Sequence, residues 1–282
     1  MELYSIQTGY FRLDGGAMFG VVPKALWSKV YPSDENNLIP LAMRCLLIVQ
    51  GDRKILVDNG IGNKQDARFF SHYYLHGDET LEKSLAEAGY APEDITDMLL
   101  THLHFDHAGG SIKRKSDGEG YEPAFPNAVY WVSQAQWDWA THPNAREKAS
   151  FLKENIFPIA QSGKLKLFDQ SFELMPGVQI RIFNGHTVGQ AIPFIHDKGK
   201  TVVYLADSLP TFAHIPLAYN MSYDIQPLLT LTEKEAFLEE AVENNFILFS
   251  EHDAFYECCT LQRTDKGIRV FRTGSLQEFL KN

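Results

Sequence analysis

Within Thr101-His102-Leu103-His104-Phe105-Asp106-His107-Ala108-Gly109-Gly110, three histidines and one aspartate fall in six consecutive positions. Imidazole nitrogen and carboxylate oxygen are the ligands that suit zinc and similar divalent ions, so the chemistry on offer is metal binding. In an extended or turning segment, residues two apart project to the same side. His102 and His104 therefore converge on one ion, while Asp106 and His107 turn toward a neighbouring position. The glycine pair is expected to let the chain bend sharply and leave. Two ions with open positions need more than these four ligands. Three further residues stand one to three positions past a predicted strand end: His186 after Phe183, Asp207 after Leu205 and His252 after Ser250.

Such ligands need rigid elements behind them. Ile95–Leu100 reads as a buried strand that delivers the histidine-rich loop. Upstream, Arg44–Val49 and Lys54–Val57 flank Gln50-Gly51-Asp52-Arg53, a hairpin signal, and the second strand runs into Asp58-Asn59-Gly60. Thr80–Gly89 has helical spacing, with Leu81, Leu85 and Ala88 on one stripe. Residues 111–127 read as an exposed insertion and Ala128–Val132 as a strand. Ser133 is a helix cap, and a helical insertion around 133–160 is expected to break near His142-Pro143. Its tryptophans, Trp137 and Trp139, with Trp131, pack the core or a subunit interface, or line a substrate pocket. Further on, Gln179–Phe183, Ala191–His196, Thr201–Leu205 and Phe246–Ser250 read as strands and Thr232–Asn244 as a helix. Short strands near Leu261 and Ile268–Val270 complete the pattern. The alternation points to an α/β (α+β) chain, with two β-rich halves and helices outside, inside a single domain over 1–282.

The bulk numbers exclude some partners. The 282 residues carry a formal net charge of −10, which disfavours nucleic-acid phosphates and anionic membrane surfaces. The 44% hydrophobic and 22% charged fractions are those of an ordinary globular protein, and no apolar run approaches the roughly 20 residues that span a bilayer. Cys45, Cys258 and Cys259 form no disulfide framework, and no signal peptide is visible, so the expected location is cytoplasmic.

Taken in order, His102-Leu103-His104-Phe105-Asp106-His107, Gly185-His186-Thr187, Asp207 and His252 resemble the signature of the metallo-β-lactamase superfamily, over about residues 40–255. Asp58 matches the aspartate that precedes the ligand loop in that family. The resemblance implies a four-layer αββα sandwich with two divalent metal ions at one edge of its sheets. It implies that His102, His104 and His186 hold one ion and that Asp106, His107 and His252 hold the other. Asp207 would bridge them, Asp58 would orient a ligand histidine unless it merely caps its turn, and a bridging hydroxide would be the nucleophile. Asp106 would also carry the proton to the leaving group. Zinc is the favoured metal, with iron, manganese or cobalt as alternatives.

The implied activity is a dinuclear metal-dependent hydrolase that cleaves a small-molecule ester or lactone. A phosphotriester or phosphodiester hydrolase and a glyoxalase-II-like thioesterase are the alternatives, and a non-hydrolytic metal-binding or redox protein is a remote one. Redox members usually replace an opening-loop histidine by glutamate, whereas His102 is intact. Two departures stand out. Val188 and Gln190 occupy places where the family often has Pro and His. Pro210 stands where members that open N-acyl homoserine lactones usually have Tyr, three residues past the bridging aspartate. His214, Tyr219 and Tyr223 are the candidates for the substrate pocket, and a homodimer is compatible with the aromatic segment.

Overall fold

The computed structural model describes residues 1–281, and the chain forms two compact units. The first comprises Met1–Gly9 and Met43–Gln170, and the second Tyr10–Ala42 with the chain from Ser171 onward. Among the described residues, no helix is long and apolar enough to cross a membrane.

In the first unit the principal strands are β1 (Glu2–Asp14), β2 (Leu38–Gln50), β3 (Arg53–Val57) and β4 (Asp97–Leu99). After the small hairpin of β5 (Ile112–Arg114) and β6 (Tyr121–Pro123) come β7 (Val129–Ser133) and β8 (Leu165–Phe168). The two longest strands, β1 and β2, run on into residues of the second unit. The sheet order is β1-β2-β3-β4-β7-β8. The predicted hairpin is β2–β3, antiparallel, with Gly51 at φ +59° in the turn. From β3 onward the strands are parallel, so each connection must cross over, and helices supply the crossovers. Leu81–Glu87 precedes β4 with Thr80 as its cap, and Gln134–Thr141, capped by Ser133, and Lys153–Gln161 precede β8. The helical break falls at His142-Pro143, as expected. Ile6, Leu47, Leu56, Met98, Tyr130 and Ile159 share one buried cluster. Residues 111–127 differ from the expected exposed insertion. Their base is buried, because Ile112 and Phe125 join that cluster and the Tyr130 hydroxyl donates to Ser111 O at 3.0 Å.

The second unit holds β9 (Phe172–Met175), β10 (Val178–Phe183), β11 (Gln190–Asp197), β12 (Lys200–Tyr204), β13 (Ile247–Phe249), β14 (Cys258–Thr264) and β15 (Gly267–Gly274). Their order is β15-β14-β13-β12-β11-β10-β9. All pairs are antiparallel except β12–β13, whose crossover is the helix Pro227–Glu243. That helix begins five residues before Thr232 because Pro227 takes its first position, where a missing N–H costs nothing. Phe237 meets Phe194 edge-on at 6.1 Å and anchors it to the sheet.

Each unit thus contains a parallel pair in three-residue register: Ile55, Leu56 and Val57 on Asp97, Met98 and Leu99, and Val202, Val203 and Tyr204 on Ile247, Leu248 and Phe249. Just past the leading strand of each pair a non-glycine residue is left-handed, Asp58 at φ +57° and Ala206 at φ +43°. Such conformations cost about 1–3 kcal/mol and persist where surrounding structure imposes them, characteristically at functional sites. The carboxyl ends of parallel strands are also where α/β proteins place their ligands.

Candidate metal centre

In the first unit the loop after β4 carries four candidate ligands, all buried. His104 is extended, and Phe105–Ala108 is then a single helical turn. This switch of backbone, rather than continued alternation, sets Asp106 and His107 apart from His102 and His104. Asp58, fully buried, organises the loop. Its Oδ1 accepts the Thr101 N–H at 2.8 Å, and its Oδ2 accepts the Thr101 hydroxyl at 2.7 Å. The same Oδ2 lies 3.2 Å from His107 Nδ1. A carboxylate accepts only, so His107 is protonated on Nδ1 and its Nε2 keeps a lone pair. The Thr101 hydroxyl has given its hydrogen to Asp58, so it accepts from His102 Nδ1 at 3.0 Å. That leaves a lone pair on His102 Nε2, which faces His104 Nδ1 at 3.0 Å.

The glycine pair works differently from the expected sharp bend. Gly109 has ordinary right-handed backbone at φ −63° and ψ −36°. An added Cβ there would lie 2.1 Å from Ile61 O, and one at Gly110 would lie 2.3 Å from Asn59 O. Absent side chains let two main chains touch, and the loop is clamped against residues 59–61. The buried Lys64 ammonium also donates to Gly109 O, and burial lowers its pKa to about 8.

In the second unit three strand-end loops bring His186, Asp207 and His252 together, each at most 8% exposed. His186 Nε2 is 3.1 Å from Asp207 Oδ2, and His252 Nε2 is 3.1 Å from Asp207 Oδ1. The far sides of the rings are also held. His186 Nδ1 lies 3.1 Å from Asp224 Oδ1, and His252 Nδ1 donates to Ala42 O at 2.8 Å. Each ring therefore faces oxygen acceptors at both nitrogens, while a neutral imidazole has one proton to give. A cation between each Nε2 and Asp207 resolves the conflict, so the donor set fits a divalent metal. His186 is positioned through its neighbours. Glu233 accepts the Asn184 and Gly185 N–H groups at 2.8 Å each, and a Cβ on Gly185 would lie 2.5 Å from Thr230 Cα.

Of the pocket candidates, His214 and Tyr219 line a small cavity together with Asp207 and Asp224, whereas Tyr223 does not line it and is exposed. His214 is spoken for at both nitrogens. Its Nε2 donates to Met18 O at 2.8 Å, and its Nδ1 accepts from Thr211 at 2.8 Å. Its ring stacks on Phe19 at 4.5 Å, and burial lowers its pKa to about 4. The loop that carries it is fastened by Lys234, whose ammonium donates to His214 O at 3.1 Å, Tyr219 O at 3.0 Å and Asn220 Oδ1 at 2.7 Å. Sequence reasoning missed Thr101, Asp224, Glu233 and Lys234. Only Thr101, adjacent to the loop, carried a local signal, since the others act from remote positions.

The sequence profile of the metallo-beta-lactamase superfamily matches residues 40–252. An N-acyl homoserine lactonase from Bacillus cereus is 26% identical over 251 residues, covering 84% of this chain and 88% of the relative. The crystal structure of a probable metal-dependent hydrolase from Staphylococcus aureus superimposes with a TM-score of 0.88 at 31% identity, covering 97% of this chain and 96% of the other. The dizinc quorum-quenching lactonase AidC shares the fold, with a TM-score of 0.77 at 23% identity over 95% of this chain and 93% of its own. The chain belongs to the metallo-beta-lactamase superfamily and is a metal-dependent hydrolase of that fold.

Proposed function

We propose that the chain holds two divalent ions, zinc foremost, and that the enzyme hydrolyses a small-molecule ester or lactone. His102, His104, His186 and Asp207 would take one ion, and Asp106, His107 and His252 the other, with Asp207 shared between them as the sequence resemblance implies. The supporting observation is the pair of rings, His186 and His252, that face acceptors at both nitrogens. When bound, such ions lower the pKa of water and polarise the carbonyl to be attacked. The chain's own residues do the rest. Asp58 and Asp224 fix the tautomers of His107 and His186, so that Nε2 is the ligand atom in each. The Asp106 carboxylate, with Oδ2 3.8 Å from His107 Nε2, takes the proton from water and returns it to the leaving alcohol.

The substrate class draws on two observations. The Bacillus relatives are N-acyl homoserine lactonases. The second unit also contains a cleft of about 450 Å³ lined by Tyr31, Phe212, Ile215, Tyr219, Phe255 and Tyr256, which Asp253, the residue after His252, also lines. That volume and apolar lining suit the hydrophobic part of a small ester. The experiment is a hydrolysis screen of lactones, aryl esters, thioesters and phosphotriesters on metal-loaded protein. Lactones and esters with apolar acyl groups should turn over fastest. Equal and very weak rates on all four classes would overturn the substrate reading.

A further inference from the structure

His104 differs from the other histidines of its loop, because its ligand-side atom is Nδ1 rather than Nε2. Its Nε2 must then carry the proton, and the group that faces it decides whether it does. That group is Glu147, from the segment between the two helices of the insertion. Glu147 is 4% exposed, and its Oε1 lies 3.5 Å from His104 Nε2, an ion-pair contact longer than a hydrogen bond. We infer that Glu147 is the positioning residue for His104, holding its proton on Nε2 and so presenting Nδ1 to the metal; this rests on the two-ion reading.

Three features carry the inference. First, the carboxylate is locked from behind. Its Oε2 accepts the Trp139 indole N–H at 2.6 Å and the Asn144 amide at 2.9 Å, and Asn144 Oδ1 accepts the Glu147 N–H at 3.1 Å. Those neutral donors converge on Oε2, which leaves Oε1 directed at the ring. Second, a buried carboxylate is costly unless a positive partner compensates it. An imidazole bound to a divalent cation is such a partner for Oε1. Third, the ring itself is packed in place by Phe151, with centroids 4.8 Å apart, so the approach of Oε1 to Nε2 is not an accident of a loose side chain. The same insertion thus supplies both the carboxylate and the aromatic wall. Trp139 takes a definite role, that of steadying Glu147 rather than lining a pocket.

The inference is tested on Glu147→Gln, with Trp139→Phe as the structural control, because that change removes one donor to Oε2 and leaves the carboxylate. Zinc affinity is read by chelator competition, and the ligand field by the visible spectrum of cobalt(II)-loaded protein. Wild-type protein should take two ions. Glu147→Gln should bind one of them about 10–100-fold more weakly, with an altered cobalt spectrum and an unchanged Tm of the metal-free protein. Trp139→Phe should keep both affinities. A folded Glu147→Gln with wild-type affinities and an unaltered spectrum overturns the inference alone. Wild-type protein that takes up no ion overturns it together with the two-ion reading. Should Glu147→Gln not fold, the imidazole nitrogen spectrum of zinc-loaded wild type decides: His104 protonated on Nε2 supports the inference, and protonation on Nδ1 overturns it.

Discussion

The two units solve the same problem with different materials. In the first, four candidate ligands come from one short stretch, His102–His107, whose shape is set by a single helical turn and by glycines pressed against a neighbouring main chain. In the second, three candidate ligands come from three loops between residues 186 and 252, each at the end of a different strand. The outer partners differ as well. His102 and His107 are oriented by the Thr101 and Asp58 side chains, whereas His252 is oriented by the main-chain carbonyl of Ala42. Yet both use a parallel strand pair followed by a left-handed residue, Asp58 in one and Ala206 in the other.

The largest effect is expected at Asp207, on which His186 and His252 converge. Asp207→Ala leaves His186 and His252 without their shared carboxylate. Turnover should fall by a factor on the order of 10³ or more, several kcal/mol of lost metal-assisted stabilisation, with metal content reduced. Elemental analysis beside a kinetic assay checks both, and unchanged turnover would remove Asp207 from the centre of the site. Next come the glycines. Gly110→Ala in the first unit and Gly185→Ala in the second each force a Cβ into main chain, 2.3 Å from Asn59 O and 2.5 Å from Thr230 Cα. Each should cost about 3 kcal/mol, a Tm drop of roughly 6–12 °C. Calorimetry that finds either variant as stable as wild type would mean that the clamp it probes is slack.

Contiguity also explains what was legible in the sequence. The strands and helices that carry strong periodicity or turn signals, the β2–β3 hairpin and the capped helices at Leu81 and Gln134 among them, stand where they were expected. His102–His107 stood out as candidate ligands by spacing alone, and His186, Asp207 and His252 by their places at strand ends; the structure brings His186, Asp207 and His252 together. What stayed hidden was whatever acts at a distance. Asp224 reaches His186 across 38 residues of sequence and Glu147 faces His104 across 43, and an acidic residue in a loop looks like any other solvated charge. The short helices Gly15–Phe19 and Lys24–Trp27 were hidden too, because one turn of helix leaves no periodicity to read. His214 was read as reaching the pocket. It lines a small cavity with Asp207, but both of its nitrogens are engaged elsewhere, a fact that belongs to Met18 and Thr211.

A matched pair of variants probes the outer carboxylates, Asp58 and Asp224. Asp58→Asn in the first unit and Asp224→Asn in the second each remove the charge behind one ligand histidine. Each should weaken one metal by about 10–100-fold. Asp58 also holds the Thr101 N–H and hydroxyl, so its loss should perturb His102 as well as His107. Chelator titration of the two variants should therefore show the larger loss for Asp58→Asn; equal losses would mean that Thr101 holds its place without the carboxylate.

The smallest effect concerns acid, and it separates the units by their buried bases. In the second unit burial lowers the pKa of His214 to about 4, against about 6.5 in an unfolded chain. Between those values the unfolded chain binds a proton that the folded ring refuses. This contribution to stability is therefore complete above about pH 7, shrinks as the pH falls toward 4, and changes no further below that. The loss between pH 7 and pH 5 should be about 2 kcal/mol. His214→Gln removes the titrating group while keeping a donor for Met18 O and an acceptor for Thr211. Denaturant unfolding of metal-free wild type and His214→Gln at pH 7 and pH 5 isolates this contribution, because every other titratable group is common to both proteins. The variant should lose less stability on acidification by that amount. Identical pH dependence would show that the ring sheds its burial penalty, by local opening of the His214–Asn220 loop, before the rest of the unit unfolds.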